Sequence, residues 1–109
     1  MEKLIEMLKQ GRIFLVGEFR GSRVEVIRYV DKKTGQANTF TSMTLVVERI
    51  GGAESVLVTQ QLGDGVVDAA TVKVNAQKGK QYAFELSGLE KVRGVLKARM
   101  PAGIDPLPV

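Results

Sequence analysis

Arginine, lysine and aromatic side chains share faces in this chain, and strand parity shows which ones. Alternate side chains of a β-strand point to opposite sides of the sheet. Across residues 12–20, Ile13, Leu15 and Phe19 have one parity, leaving Arg12, Phe14, Val16, Glu18 and Arg20 on the other. Across residues 23–30, Val24, Val26 and Val30 form the apolar set, and Arg23, Glu25, Ile27 and Tyr29 lie opposite. Further along, Met43, Leu45 and Val47 read as buried, with Phe40, Ser42 and Thr44 exposed. Tyr82, Phe84 and Leu86 read as core, while Lys97 and Arg99 face away from Leu96, Ala98 and Met100. Three of the six aromatic residues, Phe14, Tyr29 and Phe40, therefore lie on faces that also carry cations. Flat rings stack on bases at about 1–3 kcal/mol each, while cations meet phosphates.

That pattern suits binding of single-stranded DNA, or RNA, with little sequence preference. Arg12, Arg20, Arg23, Lys32, Lys33, Lys97 and Arg99 are the expected phosphate contacts, and Phe14, Tyr29 and Phe40 the expected stacking rings. The charge distribution agrees. Residues 9–33 hold seven basic and three acidic side chains, residues 73–99 hold seven and two, and residues 50–72 hold three acidic and no basic ones. Two positive blocks can thus meet along one groove. The same residues also fit a second class of function. Aromatics on a polar face serve as cross-strand or dimer contacts, and lysines at hairpin tips such as Lys32, Lys33, Lys78 and Lys80 guard sheet edges. The alternative is a small β-barrel protein-interaction or virion-structural module that binds no nucleic acid.

Catalysis has little to work with. The chain lacks histidine and cysteine, which excludes a Ser-His-Asp triad, a cysteine nucleophile, a disulfide framework and a Cys/His zinc site. Carboxylates alone, Asp64 and Asp68 with Glu48 or Glu54, are the remaining way to hold Mg²⁺. Asp64 sits in Gly63-Asp64-Gly65, however, where aspartate is ordinary turn chemistry, and no P-loop spacing is present. The expectation is a binding protein, not an enzyme, with no cofactor and no metal.

The elements that must position these residues follow from the apolar period. Residues 2–10 carry Leu4, Ile5, Met7 and Leu8 at helical spacing ahead of Gly11, a C-terminal cap candidate. The period then shortens to two. Strands are expected over 12–20 and 23–30 with a turn at Gly21-Ser22, then over 38–49, 55–60, 81–86 and 94–100, with a hairpin loop at 31–36 and a turn at 78–80. Residues 66–74 suit a strand or a helical turn, and residues 89–93 a short turn of helix. The expected fold is all-β, a small closed or partly open OB-like barrel with a short N-terminal helix. The barrel domain would span 1–100, with the helix at 1–10 and an extended tail holding all three prolines at 101–109. An SH3-like barrel or a small sandwich is the alternative. No apolar run approaches the roughly 20 residues of a membrane span, and the N-terminus does not read as a secretory signal, so a cytoplasmic protein is expected.

Lys33-Thr-Gly-Gln-Ala-Asn-Thr-Phe40, the apolar strand to Val47, Lys78-Gly-Lys-Gln-Tyr-Ala-Phe-Glu-Leu86 and Gly94-Val-Leu-Lys-Ala-Arg-Met-Pro101 share a pattern of residue types. Together they resemble the helix-destabilising single-stranded-DNA-binding proteins of filamentous phages over roughly residues 33–99. Ile13-Phe-Leu-Val-Gly17 and Val26-Ile-Arg-Tyr29 are also similar to cellular single-strand-binding OB-folds. The resemblance implies a homodimer that coats single strands cooperatively in a host cytoplasm, with Phe40 and the basic hairpin as matching elements. The N-terminal helix is an addition to that pattern. The proline-containing tail lacks the acidic tip of the cellular proteins.

Overall fold

The computed structural model describes residues 2–49, 55–65, 67–68 and 72–109. A short helix, α1 (Glu2–Lys9), precedes seven strands: β1 (Ile13–Val30), β2 (Ala37–Arg49), β3 (Ser55–Asp64), β4 (Gln81–Leu86), β5 (Gly88–Val92), β6 (Val95–Met100) and β7 (Leu107–Pro108). They form one mixed sheet in the order β5-β6-β3-β2-β1-β4-β7, which hydrogen bonds do not close. All neighbours are antiparallel except β3 and β6. The fold is therefore mostly β, as expected.

The helix ends where the sequence predicts. Gly11 adopts φ +82°, its N–H bonds to the Leu8 carbonyl at 3.0 Å, and Arg12 N–H bonds to Met7 at 3.2 Å. This is the Schellman arrangement that a left-handed glycine permits.

β1 organises the sheet. Its first half pairs with β4 from Ile13↔Leu86 to Glu18↔Gln81. Its second half pairs with β2 from Gly17↔Arg49 to Val30↔Ala37. Gly17 and Glu18 belong to both ladders, and β2 passes so close that a Cβ on Gly17 would lie 2.6 Å from the Glu48 carbonyl oxygen. The turn expected at Gly21-Ser22 is absent. Arg20 is instead an unpaired extra residue in a β-bulge, between Phe19↔Val47 and Gly21↔Val46. A bulge inserts one residue without ending the strand. That insertion explains why the apolar parity is odd at Leu15 and Phe19 but even at Val24 and Val26.

The core lies under this bend: Phe19, Met43, Leu45, Val47, Val56, Val58, Tyr82, Phe84, Ala98 and Met100. Leu15, Val24 and Leu86 pack against it from the edge. Three members of the expected apolar sets are not core. Val26 and Val30 are exposed, Val30 by 63%, because β4 pairs with β1 only up to Glu18 and the arm runs on past the core, which Val24 is the last of these valines to touch. Ile13, at the opposite end of β1, is also exposed.

Two further expectations are corrected. Residues 89–93 hold no helical turn: β5 occupies 88–92, and Arg93 and Gly94, both at positive φ, form the two-residue turn to β6. Such φ values at both central positions give a hairpin turn whose twist matches the strands. β3 runs to Asp64, four residues beyond the expected end. Of the ambiguous 66–74 segment, residues 67, 68 and 72–74 are in neither helix nor strand, and the rest lie outside the described residues. The tail at 101–109 returns to the sheet. Gln60, buried in the core, donates both amide protons to the Pro101 and Ile104 carbonyls at 2.8 and 2.7 Å, and Leu107–Pro108 pairs with Tyr82 and Ala83. No helix of the described residues is long and apolar enough to cross a membrane.

Because β2 leaves no room at Gly17, Gly17→Ala is expected to destabilise the fold by about 1–3 kcal/mol through overpacking, measured as a lower urea midpoint. An unchanged midpoint would show that the two ladders can separate at this point without cost.

Candidate nucleic-acid interface

The outward parity of four adjacent strands makes one continuous face. Register carries it from Arg23, Glu25 and Ile27 of β1 to Thr44, Ser42 and Phe40 of β2. From there it passes to Thr59 and Gln61 of β3 and to Lys97 and Arg99 of β6. A groove of about 640 Å³ lies in this face, lined by Ile27, Phe40, Ser42, Thr59, Gln61 and Arg99 among others, with residues 100–102 closing one end. The buried Gln60 amide positions that end through its bonds to the tail.

Two expected rings meet here. Tyr29 contacts Phe40 edge to face, with centroids 5.8 Å apart and planes 61° apart. They are diagonal cross-strand neighbours, since Phe40 pairs with Ile27 and Tyr29 with Asn38. Phe40 is half-buried in the groove, while Tyr29 is 47% exposed on the arm. An edge-to-face pair holds both rings in defined orientations, and the more exposed ring keeps an accessible face.

Arg99 lines the margin of the same groove, with its side chain leaning over β5 where a side chain is missing. Gly88 pairs with it across the β5–β6 ladder. A Cβ on Gly88 would lie 2.8 Å from Arg99 Nη2, 3.0 Å from Nε and 3.3 Å from Cζ, so the guanidinium crosses directly over the glycine. The Arg99 carbonyl accepts the Ser87 backbone N–H at 2.7 Å, anchoring the strand beneath. Lys97, exposed on the same outer face, pairs with Leu57 and Glu90.

The remaining expected residues are placed elsewhere or are occupied. Lys32 and Lys33 are exposed in the loop joining β1 and β2. That loop is closed by Asp31 N–H to the Gln36 carbonyl at 2.9 Å and by Lys33 N–H to Asp31 Oδ1 at 2.8 Å. Arg23 pairs with Glu25 at 2.9 Å. Arg20, on the bulge, pairs with Glu18 at 2.6 Å and lies 3.7 Å from Glu48. These carboxylates offset part of the positive charge counted along the sequence. Arg12 and Phe14 do not join the groove. They line a separate cavity of about 380 Å³ against α1 and the tail, with the guanidinium 5.9 Å from the Phe14 ring centroid.

Arg12 makes a bidentate pair with Glu85, Nε to Oε2 at 3.1 Å and Nη2 to Oε1 at 2.5 Å. The two parallel N–H···O bonds fix the guanidinium plane. Hydrogen bonding to Arg12 holds the Glu85 carboxyl below its ordinary value, against the upward effect of partial burial. Arg12 titrates higher for the same reason.

Among the described residues no three acidic side chains cluster as a metal site. Of the carboxylates considered for Mg²⁺, Glu48 lies beside Arg20, whereas Glu54 and the Asp64 side chain lie outside the described residues. Parity alone did not reveal two parts of the groove. Gly88, beneath Arg99, is legible only once β5 and β6 are known to pair, and Thr59 and Gln61 only once β3 is laid beside β2.

The Arg12–Glu85 pair stabilises the fold only while Glu85 is ionised. Its folded pKa is depressed, so the contribution is present above the unfolded carboxyl pKa and lost as pH falls through the folded one. Glu85→Gln should therefore lose less stability than the wild type on acidification from about pH 5 to about pH 2, followed by circular dichroism. Equal losses would assign the acid sensitivity to other carboxylates. Comparison with protein-family models, curated proteins and solved structures finds no match to this chain.

Proposed function

We propose that this protein binds single-stranded DNA, or RNA, across the outer face of β1, β2, β3 and β6, without strong sequence preference. The observation that carries the reading is the groove shared by Phe40 and Arg99, with neutral Ser42, Thr59 and Gln61 between them and Tyr29 packed edge to face on Phe40 beside it. Rings provide base stacking and the cations at the margins meet phosphates. Between them the Ser42 hydroxyl offers a hydrogen bond that any base can use, while the Thr59 hydroxyl donates to the Ala98 carbonyl at 3.3 Å.

An OB-type barrel, partly open, is the finer fold we read here. Three features support it: the double pairing of β1, the parallel β3–β6 ladder, and β4 and β5 joined through Ser87 alone. In this reading β4 and β5 are two halves of one bent strand, the first on β1 and the second on β6. The phage-type single-strand-binding resemblance and a homodimer belong to the same proposal. The competing assembly module draws on a different observation, the exposed Val26 and Val30 on the opposite face of the β1–β2 arm.

Fluorescence anisotropy of labelled oligothymidylate separates the two. Binding at about 50 mM salt that weakens steeply towards about 200 mM is expected, because phosphate contacts release counterions. Phe40→Ala should lower affinity by about 1–3 kcal/mol with the salt slope unchanged, and Arg99→Ala should reduce the slope by about 0.7. Absence of binding at the lower salt contradicts the proposal. Gly88→Ala is expected to alter binding only through Arg99 while leaving thermal stability unchanged, since only the flexible end of Arg99, which lies over β5, must move. In the double variant no further loss should appear. A full additional loss would mean that Gly88 acts independently of Arg99.

A further inference from the structure

Beside the Phe40–Arg99 groove the outer face holds a second depression of about 400 Å³, lined by Gly21, Arg23, Thr44, Val46, Leu57 and Lys78. We propose that it is a second subsite for the same strand, taking the sugar-phosphate of the adjoining nucleotides with Lys78 as its cation. This rests on the single-strand reading above.

The two depressions are neighbours by register. Thr44 and Ser42 are successive outward positions of β2, as are Leu57 and Thr59 of β3, each pair about 7 Å apart along the strand. A strand leaving the Arg99 end along β2 and β3 therefore arrives over Val46 and Leu57. Those apolar side chains suit the carbon face of a sugar or base, and Thr44 offers a hydroxyl.

Lys78 reaches this place because of the bulge in β1. The Lys78-Gly79-Lys80 turn is bonded to Phe19 through Gly79 N–H to the Phe19 carbonyl and Phe19 N–H to the Lys80 carbonyl, both 2.9 Å. Gly21, one residue past the bulge, carries no side chain. Lys78 Cε lies 3.4 Å, and Nζ 3.8 Å, from where a Cβ would stand, so the lysine stem crosses β1 onto the outer face. Arg23 in the same depression is engaged by Glu25, whereas Lys78 has no ion pair among the described residues. Lys80, two residues on, lines a different groove with Gln77, Tyr82 and Pro108. One turn thus supplies two lysines of equal charge to two different surfaces.

Salt titrations of oligothymidylate binding by Lys78→Gln and Lys80→Gln test the subsite. Lys78→Gln should bind several-fold more weakly with the slope of log K against log salt reduced by about 0.7, and Lys80→Gln should match the wild type. Equal losses in both variants would assign the effect to overall charge and overturn the subsite, as would wild-type affinity and slope in Lys78→Gln. If the wild type binds and Arg99→Ala weakens it, those outcomes remove only the subsite. If the wild type does not bind, the underlying reading falls with it.

Discussion

Gly17 and Glu18 sit where β1 leaves β4 and takes up β2, and the sheet depends on that exchange being possible. Two ladders converge on one stretch of backbone, so β2 must approach from one side while β4 holds the other. With the Glu48 carbonyl 2.6 Å from any Cβ at position 17, only glycine lets the approach happen. The bulge at Arg20 follows three residues later and turns the strand further. It reverses inward and outward parity, so Phe19 and Val24 can both point to the core from one continuous strand. A bulge bends its strand and increases local twist. Here the result is a core under the first half of β1 and an arm carrying the second half away from it.

The candidate interface is a consequence of that geometry. Since the inward side of β2 and β3 is filled by Met43, Leu45, Val56 and Val58, their outward side is left for Ser42, Thr44, Thr59 and Gln61, flanked by β1 and β6. Ring and cation arrive from opposite edges of this face, Tyr29 and Phe40 from the β1–β2 arm and Arg99 from β6. Gly88 allows the guanidinium to lie across the strand, and Gln60 fixes the tail at the end of the groove. The mild excess of positive charge therefore matters by location. Arg12, Arg20 and Arg23 are tied to carboxylates, while Lys78 and Arg99 stand at the two depressions of the outer face.

Much of this fold is legible in the sequence. The Gly11 cap, the loop at 31–36, the 81–86 strand and the buried parity of Met43, Leu45 and Val47 depend on local chemistry or on a two-residue period, which a sequence displays directly. Gly21-Ser22 misled because a parity change and a glycine mark a bulge as well as they mark a turn. Residues 89–93 misled because the pairing that makes them a strand is with β6, and the Arg93-Gly94 turn needs a non-glycine residue at positive φ. Within the site, parity placed Tyr29, Phe40 and Arg99 on outward faces, and register brought them onto one surface. It grouped Arg12 and Phe14 with them only because parity cannot tell which stretch of a long strand a side chain stands on. Ion pairing of Arg12 with Glu85 joins residues 73 positions apart and left no local trace.

The proposed binding surface is the outward side of β2 and β3, between the ring pair and Arg99. Amide chemical-shift mapping of the isotopically labelled full chain with oligothymidylate tests it most directly. Saturable shifts are expected at Ser42, Thr44, Thr59, Gln61 and Arg99, with α1 and the Arg12–Glu85 region unmoved. Shifts confined to α1, Phe14 and the tail, or no shifts at all, would contradict it.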